Sequence, residues 1–221
     1  PEPVREIPFR PSRVIHFFPP QNEKLVSKLP EIIPTVDILL GNLEDAIPMA
    51  DKEAARRGFI NVAKTIPMGS TQLWTRVNSL DSPWFLDDMN AIVTEAGDKV
   101  DVIMIPKVET PADVETAVRA IDAAGARDLP VQVLLESPGA VHRAFDIAAH
   151  PRLQSISFGL MDFVSAHGGA IPSVGLGVQG QFTHPLVVRA KLEIASACHA
   201  HGKVPSHSVI TEFSDTEAMR L

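Results

Sequence analysis

The chain has 221 residues, 45% hydrophobic and 21% charged, which suits one large soluble domain or two small ones with a sizeable core. A formal net charge of −7 argues against a general nucleic-acid binder, which needs a broad basic surface. The single cysteine, Cys198, excludes an intrachain disulfide framework and a Cys-rich zinc site, and no apolar run reaches the roughly 18 residues of a membrane span.

The chain starts at Pro1 rather than Met, so some N-terminus is expected to be missing, and residues 1–12 read as an N-terminal extension. No signal peptide is visible, and the default setting is cytoplasmic. Strand and helix signals then alternate. Arg13 to Phe18 reads as a strand, followed by Phe18-Pro19-Pro20-Gln21-Asn22, which lacks the Gly-rich phosphate loop of a dinucleotide fold. Val36–Leu40 and Gln72–Val77 are the next two strands. Ser82-Pro83 opens a helix with Leu86, Met89, Ile92, Val93 and Ala96 on one side and Gly97 after it.

Asp101–Ile105 is the fourth strand. Thr110 caps a helix with Pro111 at its first position and Asp113 in its first turn. Val114, Ala117, Val118 and Ile121 follow at helical spacing, and Gly125 is the stop. Val131–Leu135 and Ser155–Phe158 are further strands. Pro185 opens a helix with Val187, Ala190, Ile194 and Ala197 inside and Gly202 at its end; Cys198 adjoins that face as a buried, inert thiol. Lys203-Val204-Pro205 is a weaker seventh strand. Repeated βα units predict either a doubly wound sheet or a (β/α)₈ TIM barrel, and the missing phosphate loop favours the barrel.

Barrel enzymes place their chemistry at the C-terminal ends of the strands, and polar residues follow nearly every strand here. These are Asn42-Leu43-Glu44-Asp45, Arg76 and Asn78, Pro106-Lys107-Val108-Glu109, Glu136-Ser137-Pro138-Gly139, Gly159-Leu160-Met161-Asp162, and Ser206-His207. Taken singly, Glu44 and Asp45 read best as helix caps. Glu136 comes too early for one, because helix-favouring sequence starts only after Pro138-Gly139. Arg76 lies inside a strand and needs a carboxylate or an anionic ligand; an ion pair with Glu136 or Asp162 is the competing structural explanation. His167 and His207 follow strands, whereas His142, His150, His199 and His201 fall on or near helix surfaces. Two carboxylates and an arginine at strand ends suit Mg²⁺ and an oxyanion, an arrangement for carbon–carbon cleavage or condensation.

Five segments in this order resemble the HpcH/HpaI aldolase and citrate lyase β-subunit family, especially its malyl-CoA and citramalyl-CoA lyase-like members. They are Leu43-Glu44-Asp45-Ala46-Ile47-Pro48, Arg76-Val77-Asn78, Ile105-Pro106-Lys107-Val108-Glu109, Glu136-Ser137-Pro138-Gly139-Ala140 and Phe158-Gly159-Leu160-Met161-Asp162-Phe163. The resemblance runs from Arg13 to about Glu217 and implies a (β/α)₈ barrel that uses Mg²⁺ to cleave or form 3-hydroxyacyl-CoA thioesters such as malyl-CoA, citramalyl-CoA or citryl-CoA. The reaction would pass through an acetyl-CoA enolate and a 2-oxo acid held at the metal. By resemblance, Glu136 and Asp162 are the metal-binding carboxylates, and Arg76 faces the thioester or keto-acid oxygen. Glu44 and Asp45 are acidic groups around the metal's water shell, and Lys107, Gly159 and Met161 line the substrate.

There are departures from the family pattern. Asn42 stands where the family usually has Asp, and Pro19-Pro20-Gln21-Asn22 replaces a Pro-Gly-Ser-Arg whose arginine meets CoA phosphate, with Lys24 and Lys28 nearby. The closing strand and C-terminal lid are not in the sequence, so residues 13–221 are expected to be an incomplete barrel whose native chain continues past Leu221. Trimers or hexamers are expected partners in assembly. A CoA-independent pyruvate-type aldolase and a non-catalytic barrel subunit are the competing functions.

Overall fold

Val131–Leu135 is buried at every position, as a strand covered on both faces of a parallel sheet must be. It is one of seven strands in the computed structural model, which describes residues 13–209. The strands are β1 Ile15–Phe18, β2 Ile38–Asn42, β3 Gln72–Arg76, β4 Val102–Ile105, β5 Val131–Leu135, β6 Leu153–Phe158 and β7 Val204–Ser206. They follow one another in one sheet in chain order. The helices are α1 Glu23–Val26, α2 Leu29–Ile32, α3 Lys52–Thr65, α4 Phe85–Ala96, α5 Pro111–Ala123, α6 Pro138–His142, α7 Ala144–Ala148, α8 Leu160–Ala166, α9 Val178–Thr183 and α10 Pro185–Ala200. All seven predicted strands form, so the chain is an α/β protein built on a parallel sheet. The predicted extension over residues 1–12 and the segment ending at Met219-Arg220-Leu221 lie outside the described residues. Among the described residues, no helix is long and apolar enough to cross a membrane.

The chain divides into two compact units. The first comprises 13–106 and Glu115–Gln132. Here β1 to β4 pair in parallel, with Asn42 opposite Arg76 and Arg76 opposite Met104. Helix α3 buries Ala55, Phe59, Ile60, Val62 and Ala63, and with them Lys52 and Arg56. A side chain at Gly41 would overlap the Phe59 ring, so glycine there lets α3 lie close against β2. Helix α4 starts at Phe85, after the predicted Ser82-Pro83 opening, with Trp84 as its N-cap. Its inner face is Phe85, Asp88, Met89, Ile92, Val93 and Ala96; Leu86, predicted inside, is 69% exposed. The buried acid Asp88 takes the place that apolar periodicity gave to Leu86, because it has partners on α3 and at the end of β3.

The second unit comprises Lys107–Val114 and 133–209. Gly159 donates to the Leu135 carbonyl at 3.1 Å, which ties the end of β6 to that of β5, and β7 pairs in parallel with β6. Helix α10 starts at Pro185 and buries Val187, Ala190, Ile194, Ala197 and Cys198 as predicted. Burial pushes the Cys198 thiol up to about 12. Because Cys198 is the only cysteine, the native protein should release no chromophore from a disulfide reagent such as DTNB until denaturant opens the fold. A stoichiometric reaction in native buffer would show that α10 does not pack as described.

Candidate active site

The first unit gathers a polar group at the carboxyl ends of β2 and β3. The parallel register places Asn42 beside Arg76, and the Leu43 N–H donates to the Arg76 carbonyl at 2.9 Å. The Asn42 Oδ1 accepts from the Arg76 Nε at 2.8 Å and from the Glu44 N–H at 3.1 Å. Arg76 Nη2 lies 3.4 Å from Glu44 Oε2, and its guanidinium stands 5.3 Å from the centroid of Phe17. The Glu44 side chain is 6% exposed and that of Arg76 18%, so the pair is shielded enough for its geometry to hold.

The helical caps that follow β2 are Pro48 and Asp51, so Glu44 and Asp45 cap neither helix. Glu44 instead supplies the carboxylate that a strand-borne arginine requires. Asp45 is exposed in the turn beyond it. Asn42, neutral where the family usually has an acid, serves here as a double acceptor that an amide oxygen provides without charge.

Asn78 apart, sequence reasoning missed the layer behind this group. Lys52, 5% exposed, donates to the Leu43 carbonyl at 2.8 Å and to Asn78 Oδ1 at 2.6 Å. Asn78 donates from its backbone and side chain to Asp88 Oδ2, at 3.0 and 2.6 Å. Asp88 Oδ1 accepts from Arg56 Nε at 2.7 Å. Burial lowers the Lys52 amine from its ordinary value, while Glu44, Asp45 and Asp88 pull it back up. The available signal was that Lys52 and Arg56 fall at i, i+4 on the same helical stripe as Ala55, Phe59 and Ile60, a position that surface charges avoid.

In the second unit Lys107 precedes α5, Glu136 follows β5, Gly159 follows β6 and Asp162 lies in α8; contacts join Lys107 and Gly159 to Glu136. Ser137, not Glu136, caps α6, with its hydroxyl accepting from the Ala140 N–H at 3.0 Å. Glu136 is 9% exposed, and its Oε2 accepts from the Lys107 backbone N–H at 2.8 Å. Any side chain at Gly159 would overlap the Glu136 carboxylate, so the predicted site glycine has a steric reason: it clears the seat of Glu136. Asp162 stands half-buried in the first turn of α8, and Met161 beside it is 53% exposed.

Lys107 has a φ of 54°, a left-handed conformation rare for a side-chain-bearing residue, and it is this turn that aims its N–H at Glu136. The Lys107 side chain is exposed. Lys107→Gly should therefore leave stability within about 1 kcal/mol of the parent, whereas β-branched Lys107→Val should cost a further ~1–2 kcal/mol in urea unfolding. Equal stabilities would mean the backbone there is not left-handed. Of the two histidines that follow strands, His167 has its Nδ1 2.7 Å from the Phe163 carbonyl and its ring edge-on to Phe163. His207 stacks on Phe182 with ring centroids 5.6 Å apart.

The donor set at Glu136 and Asp162 fits Mg²⁺. Both side chains are hard oxygen donors, and Gly159 gives Glu136 room to sit at the strand end. Among the described residues, no group of three or more His, Cys, Asp or Glu gathers as a metal cluster. Mg²⁺ needs no such cage, because one or two carboxylates with water and substrate complete its shell.

Residues 13–220 match the HpcH/HpaI aldolase/citrate lyase family. The chain is 48% identical over 183 residues to the malyl-CoA/β-methylmalyl-CoA/citramalyl-CoA lyase of Chloroflexus aurantiacus, an alignment that covers 80% of this chain and 53% of that protein. It therefore spans about half the length of that relative. It is 34% identical to an L-malyl-CoA/β-methylmalyl-CoA lyase of Cereibacter sphaeroides, over 96% of this chain and 71% of that one. The crystal structure of a citrate lyase from Burkholderia xenovorans superposes with a TM-score of 0.81 at 36% identity, covering 95% of this chain and 68% of the other.

Proposed function

The chain belongs to the HpcH/HpaI aldolase/citrate lyase family, and from that membership we propose that it is a Mg²⁺-dependent carbon–carbon lyase acting on a 3-hydroxyacyl-CoA thioester such as malyl-CoA or citramalyl-CoA. The observation that carries the reading is the seat of Glu136, a buried carboxylate fixed by the Lys107 N–H and given room by Gly159. A carboxylate fixed at the end of a strand is a hard oxygen ligand of the kind a divalent cation takes. Glu136 and Asp162 would hold Mg²⁺, which supplies Lewis-acid polarisation of the substrate's hydroxyl or keto oxygen. A citrate lyase β subunit of the same fold from Mycobacterium tuberculosis has been solved with oxaloacetate and magnesium.

In cleavage, the substrate's 3-hydroxyl loses its proton and becomes a carbonyl as the C2–C3 bond breaks. The electron pair passes into the thioester as an enolate, and C2 then takes up a proton to give acetyl-CoA. Arg76 donates hydrogen bonds to the thioester oxygen as negative charge develops there. Glu44 and Asn42 hold the guanidinium in place, and Asp45 belongs to the same acidic loop. Lys107, Gly159 and Met161 line the substrate. Residues 13–221 would form part of a (β/α)₈ barrel, in the cytoplasm where CoA thioesters are handled, assembled as a trimer or hexamer.

One observation favours a CoA-independent aldolase as second reading. Asn22, at the family's CoA-phosphate arginine, caps α1 by accepting from the Leu25 N–H at 3.1 Å and offers no positive charge. A third outcome comes from a (3S)-malyl-CoA thioesterase of Cereibacter sphaeroides, 30% identical over 95% of this chain. Product analysis after incubation with malyl-CoA and Mg²⁺ separates them. The lyase gives acetyl-CoA and glyoxylate; thioester hydrolysis gives malate and free CoA; a CoA-independent aldolase leaves malyl-CoA intact and joins pyruvate to an aldehyde.

A further inference from the structure

Lys52 is a buried ammonium whose two hydrogen bonds go to neutral oxygens, those of the Leu43 carbonyl and the Asn78 amide. Burying a charge is unfavourable, and Glu44, Asp45 and Asp88 stand near enough to offset part of that cost. The position of Lys52 is informative. The Leu43–Glu44 peptide is gripped at both ends: its carbonyl accepts from Lys52, and its N–H donates to Asn42 Oδ1, the same oxygen that takes Arg76 Nε. The Leu43 N–H in turn donates to the Arg76 carbonyl.

On the far side, Lys52 fixes the orientation of Asn78, whose amide nitrogen and backbone N–H are held by Asp88, and Asp88 is held by Arg56. The ammonium also stands 5.4 Å from the centroid of the Trp84 ring. Lys52 is thus the link between the α3–α4 ion pair and the strand-end loop that carries Glu44.

We propose that Lys52 is a positioning residue for the Arg76–Glu44 pair, acting through the Leu43–Glu44 peptide and Asn78 without touching substrate. This rests on the reading of Arg76 as the donor to the substrate oxygen. Loss of Lys52 would free that peptide to rotate, so that Glu44 and the Asn42 oxygen no longer hold the guanidinium in one orientation.

The test compares Lys52→Met, Lys52→Gln and Lys52→Arg with a packing control, Val62→Ala, on the same helix. Two readouts are taken from each protein: steady-state kinetics on malyl-CoA with Mg²⁺, and the NMR signal of the Arg76 Nε–H. In the parent that signal should be sharp and slowly exchanging, because it is bonded to Asn42. Lys52→Met should lower kcat by about 10–100-fold, the usual cost of losing a supporting partner, with KM changed far less, and should broaden or remove the Arg76 signal.

Lys52→Arg, which keeps the charge and donors, should recover most of both readouts. Should Lys52→Met fail to fold, the contrast between Lys52→Arg and Lys52→Gln takes its place. Val62→Ala should lower the melting temperature and leave kcat and the Arg76 signal at parental values. A parental kcat and Arg76 signal in Lys52→Met or Lys52→Gln would overturn the proposal, as would equal losses in Val62→Ala. A parent protein inactive on thioesters would defeat the lyase reading instead, and the Arg76 signal alone would then decide the role of Lys52.

Discussion

Glu136→Ala should abolish Mg²⁺-dependent turnover while leaving the fold intact. Glu136 is 9% exposed and stands at the end of β5, where it accepts from the Lys107 N–H and packs against Gly159. Removing it leaves the Lys107 N–H, among its partners, to be satisfied by water, a loss of roughly 1–3 kcal/mol in stability for that donor. Loss of a true ligand should weaken Mg²⁺ binding by more than the roughly 10–100-fold that follows from removing a group outside the metal's shell. Calorimetric titration of Mg²⁺, run beside urea unfolding, checks both halves. Asp162→Ala should behave in the same way. Unchanged Mg²⁺ affinity in either variant would remove that residue from the metal site.

Arg76→Lys should lower kcat by about 10²–10³-fold, the cost of losing one preorganised donor to a developing oxyanion. Lysine keeps the charge but not the planar fork, and the fork is what allows Arg76 to bond Asn42 and Glu44 while presenting further N–H groups to substrate. Mg²⁺ affinity should stay near parental, because Arg76 is not a ligand. The competing explanation is a purely structural ion pair. Its partner in the structure is Glu44, so Lys, which can still pair with Glu44, should then retain near-normal turnover. Steady-state kinetics together with Mg²⁺ titration distinguish the two.

Local pattern carried the strands and the capped helices. Val131–Leu135 could be read directly because a strand buried on both faces is apolar almost throughout, and α5 and α10 because Pro111 and Pro185 mark their first turns. The start of α4 was misread because Ser82-Pro83 is a plausible opening, while Trp84, the actual cap, carries no capping signal. Glu44, Arg76, Glu136 and Asp162 could be picked out as candidates because the polar run after each strand and the family pattern both direct attention there. What each one touches was not.

The pairing of Arg76 with Glu44 depends on the β2–β3 register. The left-handed turn at Lys107 depends on a demand from Glu136, 29 residues further on, which the sequence around Lys107 does not reveal. Lys52, Asp88 and Arg56 were overlooked for the same reason. Charges in a helical stripe look like surface decoration until a partner from another element arrives to bury them.

A lyase of this kind makes and breaks a carbon–carbon bond between a thioester enolate and a 2-oxo acid. Acetyl-CoA carrying ¹³C at its methyl carbon and glyoxylate carrying ¹³C at its keto carbon, incubated with the protein and Mg²⁺, test it directly by NMR. A one-bond ¹³C–¹³C coupling should appear in the product, and it should fail to appear when EDTA is present from the start. Labelled carbons that remain uncoupled, with active protein and Mg²⁺ present at equilibrium-favourable concentrations, would contradict the lyase reading.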